Sequence, residues 1–357
     1  MSDKRGACRE QAENRLYRLD PKPDLDNANV GIYRTQHIFF CVVFLRICSD
    51  GHVRFLFSGF VHGCSPFDTR SKFQVYNQRK GVKIMLGTCL DQVRTIVPLV
   101  HNITNYVTVN DVANILLACG GSPIMSDEPE DVADITSICD GLNLNIGTLN
   151  QRSIEGMFRA GHRAKELQHP ILLDPVGAGA SALRTNTALR IMDELQPTVI
   201  RGNISEIKTL AFGSGTTKGV DADVADAVTD ETLDSAVAFV KDFAKKSHAI
   251  IAITGAIDLV SDGDKCYVIR NGRPEMGKIT GTGCQLSGMM TAFITANPDN
   301  RLEAAAAAVA AMGLAGEIGW SHMQEFEGNS TYRNRIIDAI CNMTGDILNQ
   351  GAKYEVR

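Results

Sequence analysis

An α/β protein with a mostly parallel central sheet covered by helices on both faces is what the sequence predicts, on three observations. From about Gly81 onward, short apolar runs alternate with helix-spaced segments roughly seven or eight times, the pattern of repeated βαβ units. Several of the short runs, such as residues 170–173 and 249–253, are apolar throughout, as strands buried on both faces must be. A Gly-Thr-Gly turn at Gly281-Thr282-Gly283 leads straight into an apolar helical run, giving a helix N-terminus suited to an anion.

The elements follow in order. Residues 96–100 read as a short strand, weakened by Pro98. Residues 101–118 lead into a helix: Val109, Val112, Ile115 and Leu116 keep helical spacing, and Gly120-Gly121 stops it. After residues 122–126 comes a helix opened by Asp127, with Glu130 three residues on at capping-box spacing. Residues 142–148 alternate like a strand, and 151–168 form a helix. Residues 170–177 are a strand ending in a turn, followed by a helix over 183–195. A strand at 198–200 breaks at Arg201-Gly202-Asn203 before a helix through Ile207 and Leu210. Residues 213–230 are a polar loop, and a helix over 231–246 feeds the strand 249–255. A hairpin spans 258–269, with Asp262-Gly263 at its turn. Beyond Cys284 come a buried helix, an alanine-rich helix from Leu302 and a last helix near 333–348.

The bulk numbers narrow the function. The 357 residues, 44% apolar and 22% charged, suit one large α/β domain plus an extension. A net charge of −5 gives no electrostatic case for nucleic acid or an acidic membrane. No uninterrupted apolar stretch is long enough for a membrane helix. Ten cysteines are scattered without a CxxC pair or metal-ligand spacing, so reduced thiols in the cytoplasm are expected.

Residues 1–80 stand apart, basic by five charges and carrying Cys8, Cys41, Cys48 and Cys64. The apolar run 38–45 is too short to span a bilayer and starts too late for an ordinary secretory signal. The segment reads as an extension without chemistry: poorly ordered, a product of a misassigned reading frame, or a targeting segment.

In a parallel sheet, ligands bind beyond the carboxyl ends of the strands. That edge collects Asn102, Asn105, Met125, Gly147, Asp174, Arg201, Glu206, Thr254 and the 281–284 turn. Asp174 either caps a turn or serves a cation; Glu206 either answers a helix dipole or joins it, since Mg²⁺ uses one or two carboxylates plus phosphates. Arg201 suits a bidentate phosphate grip or a salt bridge. Thr254 bonds a phosphate or ends its strand, and Met125 packs or binds. Gly281, Thr282 and Gly283 form the anion turn, and Cys284, in the first helical turn, is expected to have a lowered pKa. Two other phosphate signatures fail: residues 213–219 have the wrong Gly-Lys-Thr order and no preceding strand, and Pro175 interrupts the turn before residues 177–182.

The residues that stand out resemble hydroxyethylthiazole kinases, in the ribokinase-like superfamily, over about residues 81–350. The resemblance rests on His101-Asn102-Ile103-Thr104-Asn105, Ser122-Pro123-Ile124-Met125, Asn145-Ile146-Gly147-Thr148, Leu173-Asp174-Pro175-Val176-Gly177, Arg201-Gly202-Asn203 with Glu206, and Gly281-Thr282-Gly283-Cys284. Related sugar and hydroxymethylpyrimidine kinases carry aspartate where this chain has Cys284. The resemblance implies a three-layer fold and ATP-dependent phosphorylation of 4-methyl-5-(2-hydroxyethyl)thiazole, in the salvage route to thiamine. It implies that Met125 and Gly281 contact the alcohol with Asn105 nearby, that Arg201 and Thr254 bind ATP, and that Asp174 and Glu206 serve Mg²⁺. Cys284 would be a base or a positioning group. A homotrimer with sites between subunits is implied too. The departures are Ala180-Ser181, a longer loop at 213–230 and the foreign N-terminus. The rival readings are a kinase for another alcohol, a non-catalytic nucleotide-binding protein and a dinucleotide oxidoreductase.

Overall fold

The computed structural model describes residues 30–32, 42–47, 53–57, 85–213 and 228–357. The chain divides into two units, Met1–Arg79 and Lys80–Arg357. The described part of the first is an antiparallel sheet of β1 (Val30–Ile32), β2 (Val42–Ile47) and β3 (Val53–Phe57). The expected character of the rest of that segment, its four cysteines and most of the polar loop after Gly213 lie outside the described residues.

The second unit opens with α1 (Leu86–Ile96), β4 (Leu99–Ile103), α2 (Val109–Cys119), β5 (Ser122–Met125), α3 (Val132–Ile138) and β6 (Gly141–Asn145). Then come α4 (Gln151–Glu166), β7 (Ile171–Asp174), α5 (Ala182–Leu195), β8 (Val199–Gly202), α6 (Ile204–Phe212), α7 (Leu233–Ser247) and β9 (Ile250–Ile253). A hairpin of β10 (Asp258–Ser261) and β11 (Cys266–Ile269) precedes α8 (Thr282–Ala296), α9 (Arg301–Ser321), α10 (Asn329–Asn342), α11 (Gly345–Gly351) and β12 (Tyr354–Val356). The nine strands lie in the order β12-β11-β10-β9-β8-β7-β6-β4-β5. Pairing is parallel from β5 through β9 and antiparallel from β9 to β12. Two cores sandwich this sheet. One gathers α1, α2, α8, α9 and α10 around Phe293 and the Ala304–Ala308 run; the other gathers α3 to α7 around Leu144, Leu173 and Ile251. The stretch Pro298–Ser321 is long and apolar enough to cross a membrane by composition, but 83% of that window is buried inside the protein, as in a core helix.

Four local expectations need correction. The strand expected at residues 96–100 begins at Leu99, because Ile96 closes α1 and Val97 caps it in the left-handed region at φ 54°. Pro98 cannot continue a helix, and it biases Val97 away from helical dihedrals. The strand then runs to Ile103, over residues assigned to the approach of the next helix. The helix expected from Asp127 starts instead at Val132, after a tight turn in which the Asp131 N–H donates to the Glu128 carbonyl. Pro129 disfavours helical geometry at Glu128, and the Asp127 carboxylate accepts from the Tyr106 hydroxyl at 2.6 Å instead. The last helix breaks at Met343: Thr344 caps α11, where a Cβ on Gly345 would meet Asp91 at 2.2 Å. The short strand β12 carries no sequence signal of its own.

Candidate active site

The carboxyl ends of β4, β6, β7, β8 and β9 and the N-terminus of α8 meet around Cys284. Gly281 caps α8 at φ 89°, a conformation L side chains resist, and a Cβ there would meet Thr108 Cγ2 at 2.4 Å. The helical ladder begins with the Gln285 N–H donating to the Gly281 carbonyl at 2.9 Å. The N–H groups of Thr282, Gly283 and Cys284 therefore precede it, as the open donors of a helix start.

Cys284 is buried, and its sulfur accepts from two side-chain amides, Asn105 Nδ2 at 3.0 Å and Asn145 Nδ2 at 3.2 Å. The expected lowered thiol pKa is wrong in sign. Burial pushes it up, and the Asp174 charge adds to the rise, outweighing the Thr108 hydrogen bond, the Arg201 charge and the Asn145 amide. Helix position favours a thiolate, but desolvation in this pocket is the larger effect.

Asp174 ends β7, opposite Asn145 in register, with 0% of its surface exposed. Its Oδ2 accepts from Asn145 Nδ2 at 2.8 Å and from Ser287 Oγ at 2.9 Å, and lies 3.6 Å from Arg201. Burial raises its pKa against the pull of these partners. Arg201, on β8, donates to Thr254 Oγ1 at 2.6 Å. Its guanidinium covers Gly283 so closely that a Cβ there would lie 2.6 Å from Nη1, so the glycine is needed for close approach. The Thr254 N–H bonds the Gly202 carbonyl, and the next N–H, of Gly255, bonds the buried Asp258 carboxylate at 2.8 Å. Burial lifts Asp258 to about 7.

Glu206 forms a capping box with Asn203, and it also receives the Gly177 N–H at 2.8 Å. Burial first, and then Asp174, push it up to about 7. Two mutually repelling buried carboxylates, with Asp174 Oδ1 lacking any hydrogen-bond partner, form an oxygen donor set short of a cation. No larger group of His, Cys, Asp and Glu suited to a metal occurs among the described residues. Water, substrate phosphates and these two acids would complete a Mg²⁺ shell, so the residues present fit the ion. The Gly177–Ala182 turn is spent on the fold: Gly177 donates to Glu206, and Gly179 donates to Thr185 Oγ1 at 2.9 Å. Most of the other rejected phosphate signature lies outside the described residues.

Of the residues singled out from sequence, Cys284, Asn105, Asp174, Arg201, Thr254 and Gly281 to Gly283 are thus joined by direct contact, with Glu206 beside Asp174. Met125 ends the edge strand β5, partly exposed and opposite Asn102 in register. It shares the strand edge rather than the hydrogen-bonded cluster. Sequence reasoning missed Asn145, Ser287 and Asp258. Ser287 stands one helical turn after Cys284, and Asn145 ends its strand as Asp174 does, so both had a signal. Asp258 opens β10 and bonds back three residues to the Gly255 N–H in the β9–β10 turn, a local contact that the sequence reading, which began its hairpin at this residue, passed over.

Comparison with known proteins follows the geometry. The hydroxyethylthiazole kinase family matches residues 90–346. A hydroxyethylthiazole kinase of Clostridium acetobutylicum is 59% identical over 271 residues, covering 76% of this chain and 99% of that protein. The solved hydroxyethylthiazole kinase protein of Pyrococcus horikoshii OT3 superposes with a TM-score of 0.68 at 31% identity, over 76% of this chain and 98% of its own. The pyridoxal kinase of Staphylococcus aureus, 16% identical with a TM-score of 0.50 over 72% of this chain and 97% of its own, shares the fold. With the family match over residues 90–346 and 59% identity to a relative covered almost in full, the chain belongs to the hydroxyethylthiazole kinase family.

Proposed function

We propose that the cluster around Cys284 phosphorylates the hydroxyl of 4-methyl-5-(2-hydroxyethyl)thiazole with ATP, and that each residue has a distinct part. Family membership supports the reaction. The observation that carries the site is the Asp174–Asn145–Cys284–Asn105 chain of hydrogen bonds, set at the start of α8 beside the Arg201–Thr254 pair. Met125 and Gly281 hold the thiazole alcohol with Asn105 beside it, and Arg201 and Thr254 hold ATP. The open N–H groups of the Gly281, Thr282 and Gly283 turn take charge on the moving phosphoryl group. Asp174 and Glu206 hold Mg²⁺, which neutralises phosphate charge when bound.

The alcohol oxygen attacks the γ-phosphorus, the bond to the β–γ bridging oxygen breaks, and ADP leaves with that oxygen. In a loose transition state the alcohol proton departs late, to an oxygen of the transferred phosphoryl group or to solvent, so a strong base is not needed. Cys284, whose pocket favours the protonated form, therefore positions the hydroxyl in preference to ionising it. A cytoplasmic homotrimer, with its sites near the apolar β5 edge, completes the proposal. Among the described residues the six cysteines are free, in keeping with a reducing compartment.

The test is ADP release from Mg·ATP with the thiazole alcohol, run beside hydroxymethylpyrimidine and ribose. Turnover dependent on the thiazole is expected. Turnover on another alcohol alone would overturn the substrate and keep the fold.

A further inference from the structure

We propose that Asn145 is a positioning residue for phosphoryl transfer, acting through Cys284; this rests on the reading of Cys284 as the group beside the acceptor hydroxyl. Asn145 is 1% exposed and ends β6 opposite Asp174. A primary amide offers two N–H donors and two carbonyl lone pairs, and all four are engaged. Nδ2 donates to Asp174 Oδ2 at 2.8 Å and to Cys284 Sγ at 3.2 Å. Oδ1 accepts from Asn105 Nδ2 at 3.1 Å and from the Gly147 N–H at 2.9 Å.

This pattern fixes the amide in one orientation. Turned over, it would set its carbonyl against the Asp174 carboxylate and its NH₂ against two donors. The Asp174 oxygen therefore anchors one N–H and aims the other at the sulfur. Asn105 completes the arrangement, because its NH₂ bonds both Asn145 Oδ1 and Cys284 Sγ. The Asn145 carbonyl, itself fixed by Asp174 and Gly147, orients the Asn105 amide in turn, and the Asn105 carbonyl accepts from Thr108 Oγ1 at 3.0 Å. With two N–H donors directed at it, the sulfur turns its lone pairs toward the strand ends and its S–H proton away from them. Asn145 thus sets the direction from which a hydroxyl meets the thiol, while its anchor keeps the thiol in register with an acid proposed to hold the metal.

The experiment is a double-mutant cycle on the full chain with Asn145→Ala, Cys284→Ala and both together. Asn145→Ala is expected to lower kcat by about ten- to a hundred-fold, the usual range for residues that orient site ligands. The KM values for ATP and the thiazole alcohol should stay within about threefold. In the Cys284→Ala background, Asn145→Ala should cost less than about threefold more, because the sulfur it orients is gone. A second readout is alkylation of the peptide containing Cys284, followed by mass spectrometry. Loss of the amide donor should move the pH profile upward. Where Asn145→Ala does not fold, Asn145→Ser replaces it in the same cycle, adding no charge beside Asp174. Additive losses, or an unshifted alkylation profile, would overturn the role while leaving Cys284 its own. Full turnover by Cys284→Ala would instead overturn the underlying reading of the site, and the role of Asn145 with it.

Discussion

The Cys284 pocket raises the thiol's pKa and so favours the protonated form, which bears on what it can do for the reaction. Burial and then the neighbouring Asp174 charge cause the rise. Alkylation of this thiol is therefore expected to be slow at pH 7 and to speed up only as the pH rises beyond 9, as the accumulating thiolate reacts. Rapid labelling at pH 7, read on the Cys284 peptide, would show a thiolate and restore a general-base role. For the same reason Cys284→Ser, which keeps a small donor and acceptor in place, should lower turnover while leaving ATP binding intact. Calorimetry with a non-hydrolysable ATP analogue checks this, and lost nucleotide binding would move Cys284 out of the acceptor side. Most of the residues that cluster here were legible in the sequence, because they stand at strand or helix ends; Ser287, inside α8, does not. The protonation state of Cys284 was not legible, since helix position and burial act in opposite directions on a thiol and only the packed pocket sets their balance.

At the scale of elements, the start of α8 and the β9–β10 turn grip Arg201 from two sides. Gly283 lies in the helix, so alanine suits its backbone, yet the added Cβ would sit 2.6 Å from Arg201 Nη1 and 2.7 Å from Nη2. Gly283→Ala should weaken ATP binding by about tenfold or more, the effect of a displaced charge-assisted contact, with unchanged thiazole affinity and thermal midpoint. Equal losses for both ligands would show that the whole turn had moved. In the other turn, Asp258 holds the Gly255 N–H with a carboxyl raised from 3.8 to about 7. Below 3.8 the acid is protonated both folded and unfolded, and its titration contributes nothing. Between 3.8 and about 7 only the unfolded chain ionises, so stability drains away as pH rises, and above 7 the full cost stands. Asp258→Asn keeps an acceptor for Gly255 and removes that cost. At pH 8 the variant should be more stable than the parent by on the order of a few kcal/mol at most, seen as a raised thermal midpoint, and the gain should vanish near pH 4. A gain independent of pH would dismiss titration as its cause. The hairpin that starts at Asp258 was legible from Asp262-Gly263, but the bond from Gly255 to this acid within the β9–β10 turn was not. Local punctuation also misled where prolines intervened, at Pro98 and Pro129, because each moved a boundary that periodicity alone placed elsewhere.

For the whole molecule, the parallel half of the sheet was legible because strands covered on both faces must be apolar throughout. β12 was not, since three residues acquire their meaning only by pairing with β11. The sheet therefore ends at the three-residue β12 on one side and on the other at β5, whose four residues are all partly exposed. Leu117 on α2 and Ile138 on α3, the helices before and after β5, are 60% and 63% exposed. An uncovered strand flanked by apolar side chains is a surface that proteins cover or defend with charge, and no charged residue lies within β5. A second and third copy of the chain would cover it, next to Met125 at the end of the same strand. For the homotrimer proposed above, light scattering is expected to give three times the 38.7 kDa chain mass. Ile138→Glu or Leu117→Glu should lower that mass, since burying a charge at an interface costs more than a surface pair returns. Because Met125 ends the contacting strand, the smaller species should also bind the thiazole alcohol less tightly while keeping its affinity for ATP, whose proposed partners Arg201 and Thr254 lie toward the sheet's centre. A monomeric variant with undiminished thiazole turnover would separate assembly from catalysis and confine the site to one chain.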